Sequence, residues 1–181
     1  MKTTAERRGD WMQTFTGRQF WPLDPRADEV DIIDIAHALS QLCRFGGHTR
    51  TFYSVAEHCV RVSLACHPTD ALAGLLHDAA EAYVVDVPRP IKRNLIGYRE
   101  IEGAVHRAIC ERFNIDYGMP GSVHVADNQL LATEARDLMS LPPNAWAPMP
   151  PPLSHVIVPL PAPRAKDWFL ARFRALTGAA Q

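Results

Sequence analysis

An all-α protein with a small N-terminal β-hairpin is the fold class that three observations predict. Apolar residues recur at three-to-four spacing through most of residues 31–139, the period of amphipathic helices. Only Trp11 to Phe20 reads differently, with aromatics on both sides of a Thr16-Gly17 turn signal, the pattern of a hairpin. The 181 residues are 47% hydrophobic and 22% charged, which suits one soluble domain, 1–181, burying its own core, and excludes disordered and fibrous classes.

The elements follow in order. Residues 11–25 hold the hairpin and an irregular exit, Trp21-Pro22-Leu23-Asp24-Pro25. Residues 26–140 make the helical core. Its first helix spans Asp31 to Leu42 and ends before the Gly46-Gly47 loop. Ser54 caps the second, with Glu57 in capping-box position, and this helix runs through His58 and Val62 to Pro68. Thr69 or Asp70 opens a third, apolar helix through Ala73 to Glu81. Pro88 and Pro90 then break the periodicity, so Tyr83 to Pro90 is a loop or short turn. Helices resume over Tyr98 to Phe113 and Ser122 to Met139. Residues 141–160 are too rich in proline at first for regular structure and read as a surface lid or connector, with Val156-Ile157-Val158 able to add one strand beside the hairpin. A last helix covers residues 161–177.

The net charge of −1 offers no electrostatic footprint for duplex nucleic acid, while a local basic pocket for a small anion stays open. Met1 to Arg8 is followed by no apolar core, and no apolar run approaches membrane-spanning length, so a cytoplasmic location without membrane contact is expected. Cys43, Cys59, Cys66 and Cys110 form no Cys-x-x-Cys pair and read as reduced thiols.

Chemistry concentrates at His77-Asp78, two polar groups inside the leucine-rich run Ala73 to Glu81. A carboxylate in an apolar setting must be paired, hydrogen-bonded or metal-bound. If a metal is the partner, His58 and Asp127 are the candidate further ligands, with Glu81 an acid-base group three residues after Asp78. Two imidazoles and two carboxylates with open positions suit a catalytic divalent ion, Co, Mn, Zn, Fe or Mg.

These residues resemble the signature of the HD-domain metal-dependent phosphohydrolases: a His, a His-Asp pair and a distant Asp, matched here by His58, His77, Asp78 and Asp127. Arg44-Phe45, Tyr53 to His58, His77-Asp78-x-x-Glu81, Asp86-x-Pro88-x-Pro90-x-Lys92 and Ala126-Asp127 are similar to the 5′-deoxynucleotidase group and the phage-type deoxynucleoside triphosphate hydrolases. The likeness spans roughly residues 15–175 and implies an HD-type helical bundle.

What the resemblance implies is a hydrolase. Glu81 and Asp86 would be catalytic, holding water, returning a proton to the leaving oxygen, or helping to keep a second metal. Arg44 would fork onto phosphate and Phe45 would face a sugar or base, where similar nucleotidases often carry Trp. Lys92 and Arg89 are further cations for phosphate. His48, on the glycine loop, either contacts phosphate or caps the loop. The expected activity is release of phosphate from deoxynucleoside 5′-monophosphates by a homo-oligomer. Alternatives are a deoxynucleoside triphosphate hydrolase, a binuclear phosphodiesterase or oxygenase drawing on His106 and His124, and a non-catalytic nucleotide-binding module. His37 reads as a packed or capping histidine, and Glu134 and Arg136 as helix-surface or supporting charges.

Overall fold

Thr16 pins the hairpin to the first helix: its backbone N–H and its hydroxyl donate to the two carboxylate oxygens of Asp34 at 2.7 and 2.9 Å. In the computed structural model, which describes residues 7–144 and 146–178, the hairpin pairs β1 (Met12–Gln13) with β2 (Gln19–Phe20), antiparallel, Met12 opposite Phe20. Residues 1–6, part of the Met1 to Arg8 stretch after which no apolar core is expected, Ala145 of the connector and residues 179–181 lie outside the described part. Gly17, at φ +83°, closes the turn in a conformation that glycine adopts without steric cost. The remainder of the regular structure is helical.

Asp31 caps α1 (Ile32–Gln41) by accepting from Ile33 N at 2.8 Å. Ser54 caps α2 (Val55–Ala65), its Oγ accepting from Glu57 N at 3.1 Å. The reciprocal half of the capping box does not form, because the Glu57 carboxylate takes Arg61 at 2.7 and 3.0 Å and the backbone N–H of Leu160 at 2.7 Å. A 3-10 turn over Pro68–Asp70 leads into α3 (Ala71–Leu76). That helix stops short of the His-Asp pair: Ala79 N bonds Leu76 O and Glu81 N bonds Asp78 O, three-residue steps that tighten the chain before α4 (Glu81–Val84). The prolines permit one further short helix, α5 (Arg89–Lys92), with proline in its first turn.

The long helices α6 (Tyr98–Phe113) and α7 (Gly121–Leu138) lie within a residue of expectation, as does α8 (Ala162–Thr177), closed by Gly178 at φ +68°. Residues 156–158 form no strand. The side chain of Asp137 takes the Ile157 N–H at 2.8 Å, so the backbone group a ladder would use is already satisfied, and only the Ile157 side chain is buried. The core joins α1, α2, α3 and α8 around Ile35, Leu39, Val60, Leu75 and Phe169, each fully buried and worth roughly 1.5–3 kcal/mol. Tyr53, Val62, Val123 and Leu130 fill a second cluster between α2 and α7. Among the described residues no helix is long and apolar enough to cross a membrane.

Candidate metal centre

Close contact of α2 with α3 brings the two histidines together. At Gly74 a Cβ would meet Cys66 Sγ at 2.9 Å and Ser63 Cα at 3.3 Å, so glycine sets how near the helices come. Across that contact His58 Nε2 and His77 Nε2 are 3.3 Å apart. Asp127, in the second turn of α7, sets Oδ1 3.3 Å from His58 Nε2, and Asp78 Oδ2 lies 3.1 Å from His77 Nε2 and 3.7 Å from His58 Nε2.

The outer nitrogens of both rings are committed. His58 Nδ1 is 2.6 Å from Glu134 Oε1, and His77 Nδ1 is 2.8 Å from the Gly74 carbonyl, so the network assigns each Nδ1 as a donor. The Nε2 lone pairs then converge beside two carboxylates. That arrangement needs a cation, either a proton or a metal ion, and imidazoles oriented from behind by a carboxylate or carbonyl are a recurring metal-ligand design. His58, His77 and Asp127 offer ligand atoms within 4.8 Å of one another, as do Cys59, His77 and Asp78. These groups could hold a metal ion.

Ionisation follows the same logic. Burial and Arg44 push the His58 pKa down, but Glu134 and Asp127 outweigh them and raise it; burial likewise opposes His77, which Asp78 raises well above the usual imidazole value. Burial would raise the carboxylates Asp78 and Asp127, yet the neighbouring histidines hold Asp78 far below the ordinary range and Asp127 at about 2. Glu81 behaves oppositely. It is 6% exposed, its Oε2 has no hydrogen-bond partner among the described residues, and burial, reinforced by Asp78 and Asp86, pushes its pKa well up. Burial raises half-buried Asp86 too, against the pull of Arg44.

Arg44 forms the cationic wall. Its Nε donates to Glu134 Oε2 at 3.2 Å and Nη1 to Asp78 Oδ2 at 3.5 Å. Its backbone N–H is fixed by Tyr53 O at 2.9 Å, and the paired carboxylates outweigh burial to keep the guanidinium charged. Phe45 follows at φ +57°, a left-handed conformation that costs a residue with a side chain about 1–2 kcal/mol.

Other expected site residues divide. Arg89 reaches Asp127 Oδ2 at 3.4 Å from a largely exposed position. Lys92 is drawn aside by Glu102 of α6. His48 closes the turn through its backbone N–H to Phe45 O at 3.1 Å, and its exposed ring makes no bond to the cluster among the described residues, the loop-capping alternative. His106 packs its ring on Tyr117, and His124 is exposed; neither joins the His58, His77, Asp127 group. His37 stacks on Phe15 at 3.7 Å. The residue that sequence reading undervalued is Glu134. It is fully buried, and its position seven residues after Asp127 on one helix, hence on the same face, was the available signal.

Fold and site thus define a mostly helical protein with a small two-stranded antiparallel sheet and a buried histidine-carboxylate cluster able to hold a metal. No family model matches the chain. It is 36% identical over 170 residues to the uncharacterized protein YfdR of Escherichia coli (strain K12), covering 92% of this chain and 96% of that protein, and it belongs to the same family as YfdR. It is also 32% identical over 123 residues to the uncharacterized protein RCAP_rcc00048 of Rhodobacter capsulatus, covering 62% of this chain and 63% of that protein.

Proposed function

We propose that the chain is an HD-type metal-dependent phosphohydrolase acting on deoxynucleotides, releasing phosphate from deoxynucleoside 5′-monophosphates as a cytoplasmic homo-oligomer. The observation that carries this reading is the pairing of opposites in one cluster: charged ligands at His58, His77, Asp78 and Asp127, and beside them a buried carboxyl, Glu81, biased to keep its proton. Divergent pKa values in adjacent carboxyls suit acid-base chemistry.

A divalent ion bound by His58, His77, Asp78 and Asp127 would supply Lewis acidity toward a phosphoryl oxygen and a reactive water at neutral pH. The chain's own residues do the rest. Arg44 uses Nε and Nη1 on Glu134 and Asp78, which leaves its Nη2 to meet a phosphate oxygen as a preorganised cation. Glu81 hands its proton to the leaving sugar oxygen, a contribution of roughly 10²–10⁴-fold in rate. Asp86, with a raised pKa and part exposure, orients the attacking water.

The test is phosphate release from each deoxynucleoside 5′-monophosphate by manganese- or cobalt-loaded protein, with Glu81→Gln as comparison. Turnover should fall about 10²–10⁴-fold in the variant while metal content stays unchanged. Triphosphate released from dATP, with the monophosphates untouched, would move the assignment to a triphosphohydrolase. No product from either class by metal-loaded protein would end the hydrolase reading.

A further inference from the structure

The Pro-rich segment leaves α7 and returns beside the candidate site. At its exit Leu138 O accepts from Arg50 N at 2.8 Å, which joins the helix end to the loop that carries Arg44 and Phe45. On the return Leu153 N donates to Thr133 Oγ1 at 2.8 Å, while Arg136 binds the carbonyls of Leu153 and His155 at 2.8 and 2.7 Å. Both ends are therefore fastened within one turn or so of Glu134, the residue that holds His58 and Arg44.

Between those anchors stands Trp146. It is 40% exposed and belongs to neither core cluster. Its ring centroid is 6.4 Å from that of Phe45, with the planes tilted by 43°. The stacked ring pairs of this protein, Phe15 with His37 and Phe20 with Tyr83, stand at 3.7 and 3.8 Å. The gap between Phe45 and Trp146 is thus too wide for a direct stack and about an ångström short of two stacking distances. Widening that gap by about an ångström and turning the Trp146 ring toward the Phe45 plane, from which it is tilted by 43°, admits one flat ring between them.

Phe45 is fixed in relation to the charged cluster. Arg44, buried and bonded through two of its nitrogens, precedes it, and the Arg44 guanidinium carbon lies 5.5 Å from the Phe45 ring centre. A ligand spanning both features carries an anion at one end and a planar ring at the other, with room for little more than a sugar between.

We propose that Trp146 and Phe45 form a subsite that clamps the base of a nucleotide whose phosphate lies at Arg44. The choice of a nucleotide rests on the phosphohydrolase reading, and the clamp deepens it by naming the part of the substrate that is recognised away from the reaction. Stacking accepts any base face, so the subsite discriminates base-bearing from base-free sugar phosphates more than one base from another.

Equilibrium binding tests this without turnover. Zinc-loaded Glu81→Gln protein, with and without Trp146→Ala or Trp146→Phe, is titrated calorimetrically with dAMP and with 2-deoxyribose 5-phosphate. dAMP should bind roughly tenfold or more tightly than the base-free compound. Trp146→Ala should remove most of the advantage of dAMP over the base-free compound without changing the latter, Phe45 keeping the remainder, and Trp146→Phe should keep most of the difference. Equal weakening of both compounds by Trp146→Ala, no weakening of dAMP, or no binding of dAMP at all would overturn the clamp. The two readings fail separately. Trp146-dependent dAMP binding by wild-type protein that releases no phosphate leaves the clamp standing and removes the hydrolase, whereas phosphate release insensitive to Trp146→Ala does the reverse.

Discussion

Glu134 Oε1 lies 2.6 Å from His58 Nδ1, both side chains fully buried, while the other oxygen of Glu134 takes Arg44 Nε at 3.2 Å. One carboxylate therefore orients a candidate metal ligand and a buried guanidinium together. Glu134→Gln keeps an acceptor for the His58 N–H but removes the charge, and metal affinity should fall about 10–100-fold. Glu134→Ala leaves Arg44 buried without that counter-charge and should cost about 3–5 kcal/mol. Zinc titration read beside thermal melts separates the two effects. Unchanged affinity in Glu134→Gln would show that the hydrogen bond to His58 suffices and that the charge of Glu134 adds nothing to metal binding.

The pH dependence of the metal-free protein should have two limbs of opposite origin. The folded pKa values of Asp127 and Glu134 are depressed, so their stabilisation is present above the ordinary carboxyl range and is lost as pH falls, for Asp127 down to about 2. Glu81 is raised, which makes it neutral to stability at low pH and increasingly unfavourable as pH climbs past the ordinary glutamate value. His58 and His77 are raised as well; their contribution is full below the usual imidazole pKa and lost as pH rises through their folded values. Glu81→Gln should flatten the stretch between the glutamate and imidazole ranges and raise the melting temperature at pH 7 by roughly 2–4 °C per kcal/mol gained. A melt at pH 7 no higher than that of wild type would mean that burial does not burden Glu81. Zinc affinity should rise with pH over the histidine range, because the ion competes with protons for both Nε2 atoms.

Much of the centre was legible because local sequence carries it: a histidine and an aspartate in an apolar run are conspicuous, and the caps Asp31 and Ser54 act within two or three residues of themselves. What escaped depends on distant partners. Glu134 is polar on a helix whose rotation is fixed by packing against α2, and its partner His58 is 76 residues away. Lys92 looked free until α6 brought Glu102 to it, and Val156 to Val158 had strand composition, but Asp137, 20 residues before Ile157, takes the N–H that a ladder would use. The break after Leu76 was invisible because apolar periodicity continues across it while the hydrogen bonds change step.

Val85 adopts φ +61°, ψ 160°, a region that is essentially reserved for glycine and costs about 1–3 kcal/mol. The Tyr98 hydroxyl lies 2.8 Å from Val85 O and 3.1 Å from Val84 O, bracing the bend that delivers Asp86. Val85 is exposed, so replacement loses little burial. Val85→Gly should leave the melting temperature unchanged or a few degrees higher, since relieved strain offsets the roughly 0.5–1 kcal/mol entropic cost of glycine. Turnover in the proposed phosphohydrolase reaction should nevertheless fall, because Asp86 would lose its fixed approach. Tyr98→Phe should lower stability by about 1 kcal/mol and reduce turnover in the same direction. A large loss of stability in Val85→Gly, seen in denaturant unfolding, would place the strain elsewhere.

Gly74 does two things for the centre: its carbonyl accepts from His77 Nδ1, and its missing side chain lets α3 lie against Ser63 and Cys66 of the α2 end. Gly74→Ala puts a methyl group 3.3 Å from backbone Ser63 Cα and 2.9 Å from Cys66 Sγ, and at the first of these the neighbour is chain rather than a flexible tip. Overpacking of this kind costs about 1–3 kcal/mol and moves backbone. The expected movement separates the helices and so widens the 3.3 Å between His58 and His77 Nε2. Metal affinity should then fall further in Gly74→Ala than in an equally destabilising core truncation away from the site, such as Leu39→Ala. Removing the Cys66 sulfur as well, in Gly74→Ala with Cys66→Ala, relieves the nearer contact and leaves the backbone one. Partial recovery of both stability and zinc binding in the double variant is the expected outcome, and recovery of stability without zinc binding would separate helix spacing from the geometry of the metal centre.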